Sequence, residues 1–334
     1  METKRNIQLT SAEISALFQS YINDSMSICV FKYMQEITED SEIKTVIEHA
    51  LDLAQQHVEI VRKIFIDENI PVPYGFTEQD VNVNAERLFS DTFCLDYVKQ
   101  MAKGGLIAIG TLLPQIFRDD IRSFYSKCLT SSIELDNEAA YLLLEKGLAI
   151  RPPVIPYPKK NEFIHRQSFL AGFFEDKRSL TSMECTILYS NIQTNKLGEA
   201  LAIAFSQVAK SKKVREFMLR GKEIAEKHIN IFGSALRKEN LPSPMTWDQG
   251  ITEGKEAPFS DKLMMYHFGL MTYSGIGNYG MAISASQRSD LVTSFSRLLV
   301  EVVKYAEDGV NIMIDEEWLE QPPLAADRDE LAKG

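Results

Sequence analysis

The chain has 334 residues, 45% of them hydrophobic, which is enough for about two ordinary domains with sizeable buried cores. Forty-seven acidic residues against 36 basic ones leave a formal charge of -11, which repels phosphate backbones and anionic surfaces and argues against nucleic-acid binding. Met1 to Leu9 has no apolar core of a secretion signal, and no later apolar run approaches the roughly 18 residues of a membrane span, so a soluble, unexported protein is expected.

In chain order, the apolar periodicity predicts four helices, an aromatic linker and four more helices. Helix A opens on a capping box, Thr10 three residues before Glu13, and runs to about Glu36; helix B covers about Ser41 to Glu68 and closes at Asn69 before Pro71-Val72-Pro73. Helix C covers roughly Ser90 to Gln115 and helix D roughly Asp119 to Lys146. The second set repeats this pattern: A from Thr181 to about Gln207, B from Lys212 to Glu239, C from Ser260 to Ser286, D from Ser289 to Ile314.

The repetition is residue by residue. Sliding the chain by 171 positions aligns Leu9-Thr10-Ser11-Ala12-Glu13 with Leu180-Thr181-Ser182-Met183-Glu184, His57 with His228 and Asn69 with Asn240, without a gap to Trp247. Beyond the first long loop the offset is 170, pairing Phe89-Ser90-Asp91 with Phe259-Ser260-Asp261 and Pro152-Pro153 with Pro322-Pro323. Solenoid units run about 20 to 50 residues, so a period this long is a duplicated domain. The expected divisions are a first four-helix bundle at 9–158, an ordered linker at 159–179 whose Phe163, Phe169, Leu170, Phe173 and Phe174 dock between the bundles, and a second bundle at 180–328.

The B to C loops are long. Helix B spans about 40 Å, and 17 or 18 extended residues cover about 55 Å, so B and C can lie parallel, with short A–B and C–D turns and one crossover. That is the connectivity of ferritin-like bundles, and the expected fold is an all-α tandem duplication of one.

With its doubled Leu-Thr-Ser-x-Glu start, helix B histidine, Asn-x-Pro-x-Pro exit and the linker Gln167-Ser168-Phe169-Leu170-Ala171-Gly172-Phe173-Phe174, the chain resembles the uncharacterised two-domain ferritin-like proteins of endospore-forming bacteria, relatives of spore coat protein F. The resemblance implies a ferritin-like fold, a bacterial cytoplasmic or spore-associated location and a spore-coat or stress-related role, and carries no established activity.

A ferritin-like fold raises the question of metal. The di-iron pattern needs Glu-x-x-His on two helices, and here Ala54 and Ala225 stand three residues before His57 and His228, so a di-iron carboxylate centre is not expected. His57 follows the inward stripe Ile43, Ile47, Ala50 and Ala54, where an imidazole can bond a buried neighbour or serve as a ligand. The second bundle adds Glu199 on helix A, His267 on helix C and Glu301 on helix D to His228. Two imidazoles and two carboxylates could hold one iron, zinc or manganese ion, and the first bundle makes a weaker site around His57.

Helix C is glycine-rich, with Gly269, Gly275, Gly277 and Gly280 in the second copy beside Met264, Met265 and Met271, which suits close helix packing or a groove for an apolar ligand. Gly-x-Ser-x-Gly is absent, and the four cysteines form no Cys-x-x-Cys pair, so buried reduced thiols are expected. Function therefore divides between a non-enzymatic structural or interaction protein, working through protein partners or self-association, and a metal-binding protein or metal-dependent oxidoreductase.

Overall fold

A computed structural model describes residues 7–173, 177–243 and 250–333; Phe174 and Trp247 lie outside them. The long helices form in the expected order. The first half comprises α1 (Ser11–Ile37), α2 (Ser41–Asp67), α3 (Asp91–Leu112) and α4 (Asp119–Glu145). The second comprises α5 (Ser182–Val208), α6 (Lys212–Arg237), α7 (Asp261–Ala285) and α8 (Ser289–Asp315), and a short α9 (Arg328–Lys333) follows. Among the described residues there is no strand beyond two isolated bridges.

Side-chain pairs fix the helix directions. His49 and His57 on α2 meet Glu138 and Phe124 on α4, so α4 runs antiparallel to α2. Lys99 on α3 meets Asp136 on α4, and a Cβ on Gly105 would touch Ser132, so α3 is also antiparallel to α4 and therefore parallel to α2. In the second half, Arg220 and His228 on α6 meet Asp308 and Glu301, while Phe268 and Tyr279 on α7 meet Tyr305 and Phe295, giving the same arrangement. The long connection in each half is thus a crossover along the length of its helices.

Each half is pinned at both ends by a carboxylate. Glu13 and Glu184 close the capping boxes of α1 and α5. Their second oxygens accept backbone amides from the turn before α4 or α8: Phe117 and Arg118 at 3.1 and 2.7 Å, Gln287 and Arg288 at 3.2 and 3.0 Å. At the other end, Asp91 accepts from the amides of Glu39 and Asp40, as Asp261 does from Lys210 and Ser211. Helices α2 and α6 both stop at an asparagine in the left-handed region, Asn69 at φ 56° and Asn240 at φ 57°. The residue that follows reaches back to close the helix, from Ile70 to Phe65 and from Leu241 to Leu236.

The halves face each other across a pseudo-twofold axis. The amide of Asn82 donates to Pro258 O at 2.8 Å, and its equivalent Thr252 donates to Leu88 O at 3.0 Å. Ser90 donates to Gly250 O and Ser260 to Asp80 O in the same reciprocal way, and Val81 lies opposite Phe259 as Ile251 lies opposite Phe89. Tyr33 stands beneath this junction, fully buried, donating to Glu86 O and accepting from the Leu88 amide, with Phe259 edge-on to its ring.

The linker departs from expectation. Among the described residues of that set, Phe163, Leu170 and Phe173 are exposed and Phe169 is held beneath the Arg178 guanidinium at 4.0 Å. Buried Gly172 passes so close to the start of α8 that an added Cβ would clash with Asp290.

Burial works to raise the Glu184 pKa, but Arg178 and the backbone amides outweigh it and bring it down to about 2. Its contribution is therefore complete above the ordinary glutamate value and is lost as pH falls through that value toward 2. We predict that Glu184→Gln costs about 2 kcal/mol at neutral pH in urea denaturation, and that the gap from the wild type closes on acidification.

Candidate functional site

The two helix B histidines occupy equivalent places but are held differently. His57 pairs with Asp24 on α1 at 3.5 Å, with Phe124 edge-on to its ring. Burial would lower the pKa of His57, but Asp24, with Cys128 beside it, overrides this and holds it up at about 10. In the second half the residue equivalent to Asp24 is Asn195, and a different set surrounds His228. Its Nδ1 meets the Tyr279 hydroxyl at 2.7 Å and its Nε2 meets Glu301 at 3.0 Å. The Tyr279 hydroxyl also receives a bond from the Asn195 side-chain amide. Burial is the largest influence on His228 and pulls its pKa below the ordinary imidazole value, against the carboxylate that raises it. The two imidazoles are therefore shifted in opposite directions, His57 upward and His228 downward.

His267 does not join this group. It is fully buried on the face of α7 that meets the first half, where its Nε2 lies 3.0 Å from the hydroxyl of Tyr97 and its ring packs on Phe205. Tyr97 is its own equivalent in the first copy, so the pair lies on the pseudo-twofold axis. Burial pushes the His267 pKa down to about 4.

Of the four residues expected to share a metal, the structure brings together His228 and Glu301 and turns His267 to the other half. Glu199 is buried on α5. Among the described residues, no three His, Cys, Asp or Glu side chains gather where a metal ion could sit, around His57 no more than around His228. Both nitrogens of His228 are engaged, and Glu301 also binds Lys227 at 2.7 Å. These residues do not fit an iron, zinc or manganese centre, because the helix C histidine faces out of its own bundle and into the interface. All four cysteines are buried and unpaired as thiols.

Two further features join the halves. On one side, polar side chains from α3 and α5 approach each other: Lys103 donates to Thr194 at 3.3 Å, and burial, with Lys99 nearby, lowers its pKa to about 8. Asp96 is raised by burial to about 7, with Lys196 partly countering. On the opposite side, a cleft of about 1250 Å³ lies between α1, α7 and the segment after α8. Trp318 to Ala325 form one wall, and Glu320 accepts the amides of Tyr74 and Gly75. The glycines of helix C pointed to a groove beside it but not to this wall; the replacement of Lys99 and Lys103 in the first copy by Gly269 and Tyr273 in the second was the signal available.

The fold and these interior pairs define an all-helical, internally duplicated protein. The chain belongs to the family described as "Protein of unknown function (DUF3231)", whose model matches twice, over residues 1–160 and 168–331. No curated protein matches it. It is similar to the crystal structure of a candidate spore coat protein from Bacillus halodurans C-125, 17% identical, over 46% of this chain and 99% of that one, at a TM-score of 0.42.

For His57, the raised pKa means stability that is complete below the ordinary imidazole value of 6.5 and is lost as pH rises from there through about 10. His228 has the opposite sense, its neutral form favouring the fold and acid below about 6.5 opposing it. We predict that Asp24→Asn, which imports the second half's residue, lowers the His57 pKa by more than two units in a proton NMR titration and removes the alkaline loss of stability.

Proposed function

We propose that this protein acts without catalysis, as a structural or interaction protein of ferritin-like ancestry serving the spore coat or a stress response of an endospore-forming cell. The observation that carries this reading is the stretch between the halves. Tyr157 is 94% exposed and Phe163 89% exposed, with Val154, Ile164, Leu170 and Phe173 also in solvent. A run of large apolar side chains left in water marks a surface for another protein. The residues that looked capable of chemistry support the same reading, since His57, His228 and His267 are each bonded to a neighbouring helix and serve to hold the fold. The sequence resemblance supplies the cellular setting.

The test compares the full chain with a variant carrying Tyr157→Ser, Phe163→Ser and Ile164→Ser, both expressed as fluorescent fusions in a sporulating host. The wild type is expected to be recovered with the spore coat fraction, and the variant to fall by about tenfold there while its circular dichroism stays the same. Equal recovery of the two proteins, or absence of the wild type from the coat through sporulation, defeats the proposal. Elemental analysis of both preparations separates the alternative: about one equivalent of metal that disappears with His228→Ala points to a metal protein instead.

A further inference from the structure

The cleft between the halves is built differently from its symmetry mate. Equivalent positions run Phe18 with Tyr189, Ile22 with Gln193, Tyr266 with Asp96, Gly269 with Lys99 and Tyr273 with Lys103. On the polar side these residues bond one another or their neighbours: Lys99 to Asp136, Lys103 to Thr194, Gln193 to the Tyr189 hydroxyl. On the cleft side every one of them is apolar, aromatic or glycine, and a Cβ on Gly269 would meet nothing within 4 Å. A duplicated fold can be built with the polar version, so the open apolar version is not a requirement of folding.

The cleft has a direction. Its α1 wall runs from Ser11 to Asn23, about 18 Å at 1.5 Å per residue. Its polar end is set by Tyr266, whose hydroxyl donates to Asn23 Oδ1 at 2.7 Å, and by Lys262, which lies one turn away on α7. Lys262 donates to Gly75 O at 3.0 Å and sits 4.8 Å over the Phe76 ring; among the described residues it makes no ion pair. An ammonium has three donors, so two remain. Of the two carboxylates that line the cleft, Glu320 is engaged by the Tyr74 and Gly75 amides and Glu317 stands at the exposed rim. The apolar walls are Phe18, Ile22, Leu270, Tyr273, Met313 and Trp318.

A long apolar trough with one cation at its end matches one chemical class. We propose that the cleft binds a long-chain fatty acid, with the chain laid along α1 and α7 against Trp318 and the carboxylate on Lys262. Each methylene leaves water for an apolar wall, and the methionine lining adapts to chain shape. This site stands apart from the exposed linker and does not depend on it.

Trp318 provides a local readout, since the only other tryptophan is Trp247, and Phe76 occupies the equivalent place in the first copy. In full-length, delipidated Trp247→Phe protein, a brominated stearate is expected to quench Trp318 saturably at micromolar concentration and to be displaced by plain stearate. Gly269→Leu and, independently, Tyr273→Lys should each weaken binding by about tenfold or more with the melting temperature preserved, because each fills or charges the trough. Lys262→Gln should weaken brominated stearate by about tenfold and leave the matching brominated alcohol unchanged. Absence of saturable quenching overturns the site, as does unchanged affinity in both trough variants. Equal response of acid and alcohol to Lys262→Gln overturns the carboxylate assignment.

Discussion

The reciprocal backbone bonds between the two crossover segments fix everything that lies between the halves. Each crossover has to travel the length of its own bundle, and a chain doing so carries amides and carbonyls that need partners if they are buried. Here each segment satisfies the other, Asn82 and Ser90 donating to the second copy and Thr252 and Ser260 donating back. Because the four bonds are reciprocal, they define a pseudo-twofold axis. The Tyr97–His267 pair sits on that axis, and the flanks of the axis become two equivalent spaces. The interface is thus isologous in the manner of a symmetric dimer, although one chain supplies both sides.

Within each half the invariants and the variables separate clearly. The end clamps, Glu13 with Asp91 and Glu184 with Asp261, use the same atoms in both copies, because each satisfies backbone amides at a helix end whose position the fold dictates. The interior is less constrained. An imidazole at the helix B position needs partners for its nitrogens, but any helix facing it can supply them. The first half uses an aspartate on α1, and the second uses a tyrosine on α7 and a glutamate on α8. The histidine at the same position is consequently shifted upward in the first half and downward in the second.

Much of this was legible in the sequence for physical reasons. Helix ends were, because Thr10 and Thr181 with their partner glutamates are local devices and the asparagine exits need left-handed backbone. The crossover was, because loop length limits which helices can be neighbours. The direction of His267 was not. Helix α7 buries residues against its own half, as with Phe268 beside Tyr305, and also against the other half, as with His267 beside Tyr97. A helix buried on two faces has no single apolar stripe, so periodicity cannot tell which face looks inward. The linker was misjudged for a related reason: its aromatic content implied burial, but composition does not reveal that Phe163, Leu170 and Phe173 stay in solvent.

Joining two copies in one chain changes what the interface can become. In a homodimer every substitution beside the axis appears twice, so an apolar trough on one flank implies the same trough on the other. Fusion removes that restriction. Lys103 reaching Thr194 can brace one flank while Gly269 and Tyr273 leave the opposite flank open, and neither choice disturbs the backbone bonds that set the axis. Stability needs only one braced side and a closed centre. Residues that differ between the copies at equivalent positions beside the axis are therefore the place to look for what this protein binds, and residues that match are the record of what holds it together.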